Sequence, residues 1–455
     1  MRKSLILTGV LLLLSVGLLV GASSLIGSRE TAVFIETATL YGDPSAAEGI
    51  AVQLHAGCKG HLFWDILCRA GEKPHATTAF TFSGSERQET QREAPSVSLA
   101  FSCDGGISGS DISFEDDDEW GMMTRPAADL AKRTPAGETR TETVSLADYY
   151  DTYPLFFDLQ LPGQAYNGIE GLQKAVRAYF QLPVPASHRV KVTVQKDGDG
   201  NTVNVELSSV GEPLSLSTVS VVTENGCYFA FSGHRKGRDL LDLSHVPGGY
   251  GLYYLPFEKE QQEGGLVTLQ AGEIGMVFPL DESQSEVCAL AAGAGEKELF
   301  LVTREQDAFW LTVLDTAEMR PSQKFPVLPA GEELSFWQQW VYPDFVALQV
   351  SDGGLALLHR GENGVFETAF TCGGGEQWTE RVRYDSIFAY DGARLAVATP
   401  MDRSLCSFYL SVYEKNGLAY AGQYQNSLDL SPTTDYAYRC RLVGPDPLEL
   451  GFLPA

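Results

Sequence analysis

Apolar residues along this chain follow three patterns, and each predicts a different kind of element. The first is one uncharged run from Ser4 to Ser28, preceded by Arg2 and Lys3 and ended by Arg29 and Glu30. As a helix, Leu5 to Gly27 rises about 34 Å at 1.5 Å per residue, enough for a hydrocarbon core of roughly 30 Å. Residues 1–29 are therefore expected to be a transmembrane anchor or an uncleaved signal, with the small residues Val20-Gly21-Ala22 as a competing cleavage site. The basic flank keeps the N-terminus cytoplasmic and puts everything from about residue 30 outside, a single-pass arrangement at the cell membrane.

The second pattern has period two. TAVFIETATL, IAVQLHAG, HLFWDILCR and HATTAFTFS alternate apolar and polar positions and are separated by turn residues, so residues 30–105 read as an antiparallel β region. The plausible strand VSLAFSC falls near its end. Residues 106–143 are polar and acidic and read as a linker. In residues 144–214, PLFFDLQLP reads as a strand and HRVKVTVQKDGDGNTVNVELSS as a hairpin. Between them lies the third pattern, helical spacing in GIEGLQKAVRAYFQL, which makes this a small α+β unit.

Residues 215–455 return to strands throughout. Asp-Gly and Asn-Gly turns at Asp352, Asn363, Asp391 and Asn416 punctuate similar units, and the Asp352 and Asp391 turns lie 39 residues apart. That period suits four-stranded propeller blades, five or six in about 240 residues. The expected fold class is thus mainly β: an N-terminal transmembrane helix, a small β-rich and α+β region, and a C-terminal β-propeller-like domain. A β-sandwich pair is the alternative, because such turns mark any hairpin.

Composition changes the picture in two places. With 59 acidic against 33 basic residues the net charge is −26, which repels phosphate backbones, so nucleic acid is excluded as a partner. Eight cysteines in an exported chain permit pairing, but Cys58, Cys68, Cys103, Cys227, Cys288, Cys372, Cys406 and Cys440 show no regular spacing, and buried free thiols are an equal reading. The absence of an Asn-x-Ser/Thr sequon fits a bacterial host.

Candidate chemistry concentrates in HAGCKGHLFWDILCRAGEKPH, residues 55–75, which holds three of the seven histidines and two cysteines. On strands, Val52, Leu54 and Ala56 share one face, and Leu62, Trp64, Ile66 and Cys68 form the apolar face of the next strand. His55 and His61 lie symmetrically about Cys58 and are expected opposite each other across the hairpin, with His75 too far along to join them. Two ligands fall short of a zinc site, so neither metal nor cofactor is expected. DGDGN at Asp197–Asn201 resembles the start of a calcium loop, but the sixth position is Thr202 and the twelfth Ser208, which favours a hairpin turn. The run Asp116, Asp117, Asp118, Glu119 reads as a solvated loop.

No linear nucleophile, metalloprotease, P-loop or dinucleotide motif is present, and no catalytic residue is assigned. The single N-terminal span, GDPSAAEG and GHLFWD resemble a group of uncharacterised single-pass membrane-anchored proteins of Gram-positive bacteria, a resemblance that implies topology and no activity. The expected function is a membrane-anchored extracytoplasmic protein whose β-rich body binds a ligand or an envelope protein, as sensor or scaffold. An extracytoplasmic glycan hydrolase or lyase with a propeller fold is the alternative. Aromatic residues beside turns, Trp337, Trp340, Trp378, Tyr253 and Tyr254, are the candidate ligand contacts, and a cationic or neutral partner suits the acidic chain.

Overall fold

The computed structural model describes the chain except residues 1, 32, 59–60, 82–95, 102–103, 113, 115–121, 161–164, 168, 211–215, 233–241, 262–265, 332–333, 352–353, 373–381, 402–405, 431–439, 445 and 454–455. The acidic run at 116–119, the Asp352-Gly353 turn, Cys103 and Trp378 lie outside the described residues. The chain is mainly β and divides into two compact units, one of residues 1–93 with 344–455, the other of residues 94–343. That division departs from the linear order of domains expected above, because the N-terminal strands fold with the last hundred or so residues.

In the first unit the apolar run forms one 30-residue α-helix, Arg2–Thr31. Among the described residues no helix is long and apolar enough to cross a membrane. The helix lies where the span is expected, and its side chains are described without interruption from Gly9 to Ala22. Those side chains are exposed, Leu13 at 72% and Leu18 at 74%.

Three sheets make up the body of this unit. Ile387–Tyr390, Leu395–Pro400, Phe408–Glu414 and Gly417–Asn426 follow one another as an antiparallel meander. Its outer edge is completed by the N-terminal strand Ile35–Gly42, in register from Ile35 opposite Asn426 to Gly42 opposite Tyr420. Ile50–Cys58, Leu62–Arg69 and His75–Phe80 form a second meander, and here the far end of the chain returns. Leu448–Phe452 pairs with Ile50–Leu54, and Arg441–Leu442 pairs with Ala56–Gly57. Phe345–Val350, Leu355–Arg360 and Phe366–Cys372 form three consecutive antiparallel strands.

The alternation read from the sequence decides which face is buried. Val52, Leu54, Ala56, Trp64, Ile66 and Cys68 lie in a core with Phe408, Leu410, Val412, Tyr420 and Tyr424. Arg394 ties this unit together at its turn: its guanidinium donates to the carbonyls of Ala46 and Glu48 at 3.1 and 3.0 Å and lies over the Phe452 ring. The Asp391-Gly392 turn that carries it is closed by the Asp391 carboxylate, which accepts from the Ala393 and Arg394 amides.

The second unit contains the expected α+β segment and more. Thr202–Val210 and Arg189–Lys196 form the hairpin at DGDGN, flanked by Gly105–Ser108 and Thr139–Ser145. The Asp197 carboxylate accepts from the Asp199 and Asn201 amides, the geometry of a turn. Residues 106–143 are not an unstructured linker: they hold the helix Arg125–Arg133 and most of the strand Thr139–Ser145. The helix RPAADLAKR buries only the small residues Pro126, Ala127 and Ala131 with Leu130, and the strand lies at a sheet edge, so little apolar sequence marks either. A second helix, Ile169–Tyr179, occupies the expected amphipathic stretch.

From Ser217 the strands run on. Ser217–Val222, Gly226–Ser232 and Gly251–Gln261 are antiparallel, and Gly275–Pro279 pairs back onto Gly251–Tyr254. Ser285–Ala292, Glu298–Glu305, Ala308–Asp315 and Arg320–Pro329 form a four-stranded meander in chain order.

One buried histidine is expected to make the stability of this unit depend on pH. His188 is 8% exposed, and its Nδ1 lies 2.8 Å from the Tyr153 hydroxyl. Burial pushes its pKa below the usual histidine value, with the Asp104 carboxylate opposing weakly. The unfolded chain therefore takes up a proton before the folded one, and stability falls as pH drops below about 6.5 towards the lowered folded value. Thermal unfolding followed from pH 7.5 to 5 is expected to show this decline, and His188→Gln to flatten it. An unchanged slope in the variant would assign the dependence to another group.

Candidate functional site

His55 lines a cavity of about 220 Å³ in the first unit, together with Phe63, Asp65, Val443, Asp446 and Glu449 among others. Backbone register places these groups. His55 sits directly opposite Asp65 in the hairpin, and Glu449 lies opposite the neighbouring Gln53 on the other side of the same strand. Side chains two apart on a strand share a face, so Gln53 and His55 project together, with Asp65 and Glu449 beside them. The opposite face carries Leu54, Trp64 and Ile66 into the core.

The imidazole is held between two carboxylates. Its Nδ1 lies 2.6 Å from Asp65 Oδ1 and its Nε2 lies 3.6 Å from Glu449 Oε1. A carboxylate can only accept, so Nδ1 carries a proton and donates to Asp65. The histidine backbone is pinned as well, its amide donating to Pro447 O at 3.0 Å and its carbonyl accepting from Val443 at 2.9 Å. Beside it, Phe63 and Val443 close over Gly57, where a β-carbon would stand 3.1 and 2.9 Å from their side chains. Only glycine lets these two apolar groups come so near the strand.

The expected pairing of His55 with His61 is corrected by this register. Cys58 is opposite Leu62, so the turn is centred two residues beyond Cys58 and His55 meets Asp65 instead. His61 Nδ1 lies 2.9 Å from Thr81 O, and its ring stacks on Phe80. His75 pairs opposite Leu67, down the next strand. Cys68 faces the core, and burial pushes its thiol up to about 12, far from the thiolate a metal would need. Among the described residues no group of three or more His, Cys, Asp or Glu side chains is placed to hold a metal ion.

The aromatic candidates are not brought together. Tyr253 is 0% exposed, packed by Phe180, Phe229 and Phe231, with its hydroxyl donating to the Gly249 carbonyl. Tyr254 is partly buried, stacks on Tyr228 and donates to Asn225 O at 2.9 Å. Trp340 is 9% exposed, on the strand Phe336–Val341, where Trp337 points outward at 61%. Trp337 is thus the one described member of the set with a broad exposed face, and Trp378 lies outside the described residues.

Sequence reading missed Asp446 and Glu449 because they reach His55 only through pairing between residues nearly four hundred positions apart. The alternation in LELGF, residues 448–452, was the available local sign of a strand there.

No protein-family model matches the chain, and no curated protein matches it. Solved structures give distant likenesses. The β-propeller domain of Cps50 (Swd1) from Myceliophteria thermophila is 9% identical, with 52% of this chain and 68% of that one covered and a TM-score of 0.26. A candidate 6-phosphogluconolactonase from Bacteroides fragilis is 10% identical, with 82% and 93% covered and a TM-score of 0.31. Hsv2p from Kluyveromyces lactis is 13% identical, with 53% and 82% covered and a TM-score of 0.23. At such scores neither fold nor activity is carried over.

Proposed function

We propose that this chain is a non-catalytic binding protein, held at the cell membrane by its N-terminal helix, with a β-propeller-like body outside the cytoplasm that takes a ligand or envelope partner at the His55 pocket. The observation that carries the binding reading is the imidazole in the lining of a cavity, hydrogen-bonded to Asp65 and 3.6 Å from Glu449. Such a cavity with a few convergent polar groups is the usual form of a ligand site. The glycan hydrolase or lyase alternative needs two carboxylates facing each other across a cleft, about 5 to 10 Å apart. Here Asp65 is hydrogen-bonded to the imidazole.

Two observations support the remaining parts of the reading. The meanders at 285–329 and 387–426 each run four strands in chain order, as propeller blades do, and the second carries the N-terminal strand Ile35–Gly42 as a fifth at its edge. The exposure of Leu11 to Leu14 and Leu18 to Val20 along Arg2–Thr31 leaves a large apolar surface that a bilayer would cover. Trp337, 61% exposed, offers a further contact for a partner.

Protease added to intact, wall-stripped cells is expected to digest the body while a short N-terminal fragment stays with the membrane. Protection of the body, or release of the whole chain into the medium, sinks the topology. Incubation of the purified full chain with a panel of envelope glycans is expected to give no turnover. Turnover abolished by Glu449→Gln would replace the binding reading with the hydrolase or lyase.

A further inference from the structure

We infer that Cys58 and Cys440 form a disulfide bond that ties the C-terminal return of the chain to the hairpin carrying His55. The structure shows both as thiols, Cys58 half-buried and Cys440 8% exposed. Backbone register brings them together. Leu442 pairs with Ala56 and Arg441 with Gly57, so Cys440, one residue before Arg441, comes beside Cys58, the last residue of the strand Ile50–Cys58. The Val443 amide donates to the His55 carbonyl at 2.9 Å, which makes these two a hydrogen-bonded pair. Pairs of the two kinds alternate along an antiparallel ladder, so Cys58 and Cys440 fall on a non-hydrogen-bonded position, where α-carbons stand about 4.5 Å apart. Disulfides span α-carbons about 4.4 to 6.8 Å apart.

The facing of the side chains agrees with the register. Side chains two apart on a strand share a face. Leu54 and Ala56 lie in the core and Cys58 packs against it, while across the ladder Leu442 packs against the same core and Cys440 lies in it. Cys406 belongs to that core too and is the competing partner. It is 0% exposed, its amide donates to the Asp429 carboxylate at 2.9 Å, and burial, with Asp429 adding to it, holds its thiol well above the ordinary value. The thiolate that exchange requires is therefore scarce at Cys406 and shielded from an oxidant. Cys58, half-buried at the end of its strand, stays within reach of one.

The oxidant is itself a disulfide, that of an exported thiol–disulfide oxidoreductase in the cell or of glutathione in the test. The Cys58 thiolate attacks one of its sulfurs, forming a mixed disulfide and releasing the other sulfur as a thiol. The Cys440 thiolate then attacks the Cys58 sulfur, and the remaining half of the oxidant leaves as a second thiol. Both cysteine protons end on the released sulfurs, and the electron pair given up by the cysteines goes to the oxidant. The bond closes a loop of nearly four hundred residues, and a longer loop removes more freedom from the unfolded chain. Lasting oxidation in the cell rests on the body lying outside the cytoplasm, as proposed above.

The test exposes the reduced full chain, in detergent and under native conditions, to oxidised glutathione, blocks remaining thiols with N-ethylmaleimide, and reads tryptic peptides by mass spectrometry. The expected product is residues 30–59 linked to the dipeptide Cys440-Arg441, lost in Cys440→Ala and kept in Cys406→Ala. Oxidation should raise the thermal midpoint of the unaltered chain by about 4 °C or more and leave that of Cys58→Ala unmoved. A link between Cys406 and Cys440, Cys58 halted as its glutathione adduct, or both cysteines alkylated overturns the inference, and mapping of the unaltered chain decides this even if a variant fails to fold. The same mapping on cells quenched with N-ethylmaleimide separates the site from the topology. A pair joined in cells supports both, whereas a pair that joins in the purified chain but is alkylated in cells supports the site and overturns the extracytoplasmic placement.

Discussion

Replacing Tyr253 with alanine is expected to destabilise the second unit by about 3 to 5 kcal/mol, the range for large aromatic side chains removed from a core. Its ring centroid lies 4.9 Å from that of Phe180, 5.7 Å from Phe229 and 5.8 Å from Phe231, and all four side chains are at most 1% exposed. Close-packed neighbours cannot collapse into the space of a lost phenol, so a cavity remains and its lining loses contacts. Tyr253→Phe removes only the hydroxyl that donates to Gly249, at about 1 kcal/mol. Burial holds that hydroxyl far above the usual tyrosine pKa, so it stays protonated at any ordinary pH. Denaturant unfolding separates the pair. A Tyr253→Ala chain that keeps its midpoint would restore Tyr253 as a surface contact.

Tyr253 also shows where sequence reading stops. An aromatic residue after GGYG resembles a loop contact, and the same letters serve a strand buried on both faces, as in Gly251–Gln261, where Leu252, Tyr253, Leu255 and Phe257 are all buried. Period-two alternation distinguishes a half-buried strand from a loop but not a doubly covered strand from a recognition segment. Where one face is solvated, reading succeeds. Val52, Leu54 and Ala56 against His55 gave the correct inner and outer faces of the hairpin. The hairpin at Asp197–Asn201 was equally legible, because Asp-Gly chemistry states the turn locally. The helix Arg125–Arg133 was lost for the opposite reason: its buried face is two alanines, a proline and one leucine, too little apolar surface to stand out among charges.

The pocket divides along the same line. His55 stands out in the sequence but its partner does not, since symmetry with His61 depends on where the turn closes, and two residues of turn change the partner. Asp65 was within reach, being on the facing strand. Asp446 and Glu449 were not, because strand pairing at a separation of almost four hundred residues leaves no mark in the local sequence, and net acidity alone gave only the sign of the partner.

That long-range pairing has the second large consequence. A chain ended after Val443 is expected to lose the folded first unit, with the effect centred on the hairpin Ile50–Arg69. The deletion removes the five-residue ladder from Ile50 opposite Phe452 to Leu54 opposite Leu448. Each backbone hydrogen bond lost contributes about 0.5 to 1.5 kcal/mol, and the burial of Leu448, 6% exposed, about 1.5 to 3 more. Phe452 no longer supports the Arg394 guanidinium, which joins the Asp391 turn to the Ala46 and Glu48 carbonyls. Losses of this size rival the whole stability of an ordinary domain, about 5 to 15 kcal/mol. Hydrogen exchange reads the result directly: amides of Ile50 to Cys58 and Leu62 to Arg69 should lose protection, while those of the meander Ser285–Pro329 in the second unit keep theirs. A graded companion is Leu54→Ala, whose fully buried side chain should cost about 2 to 5 kcal/mol without removing a backbone partner. If the shortened chain protects its hairpin amides as the full chain does, the C-terminal strand covers the sheet without holding it, and the pocket it builds with His55 is separable from the stability of the unit.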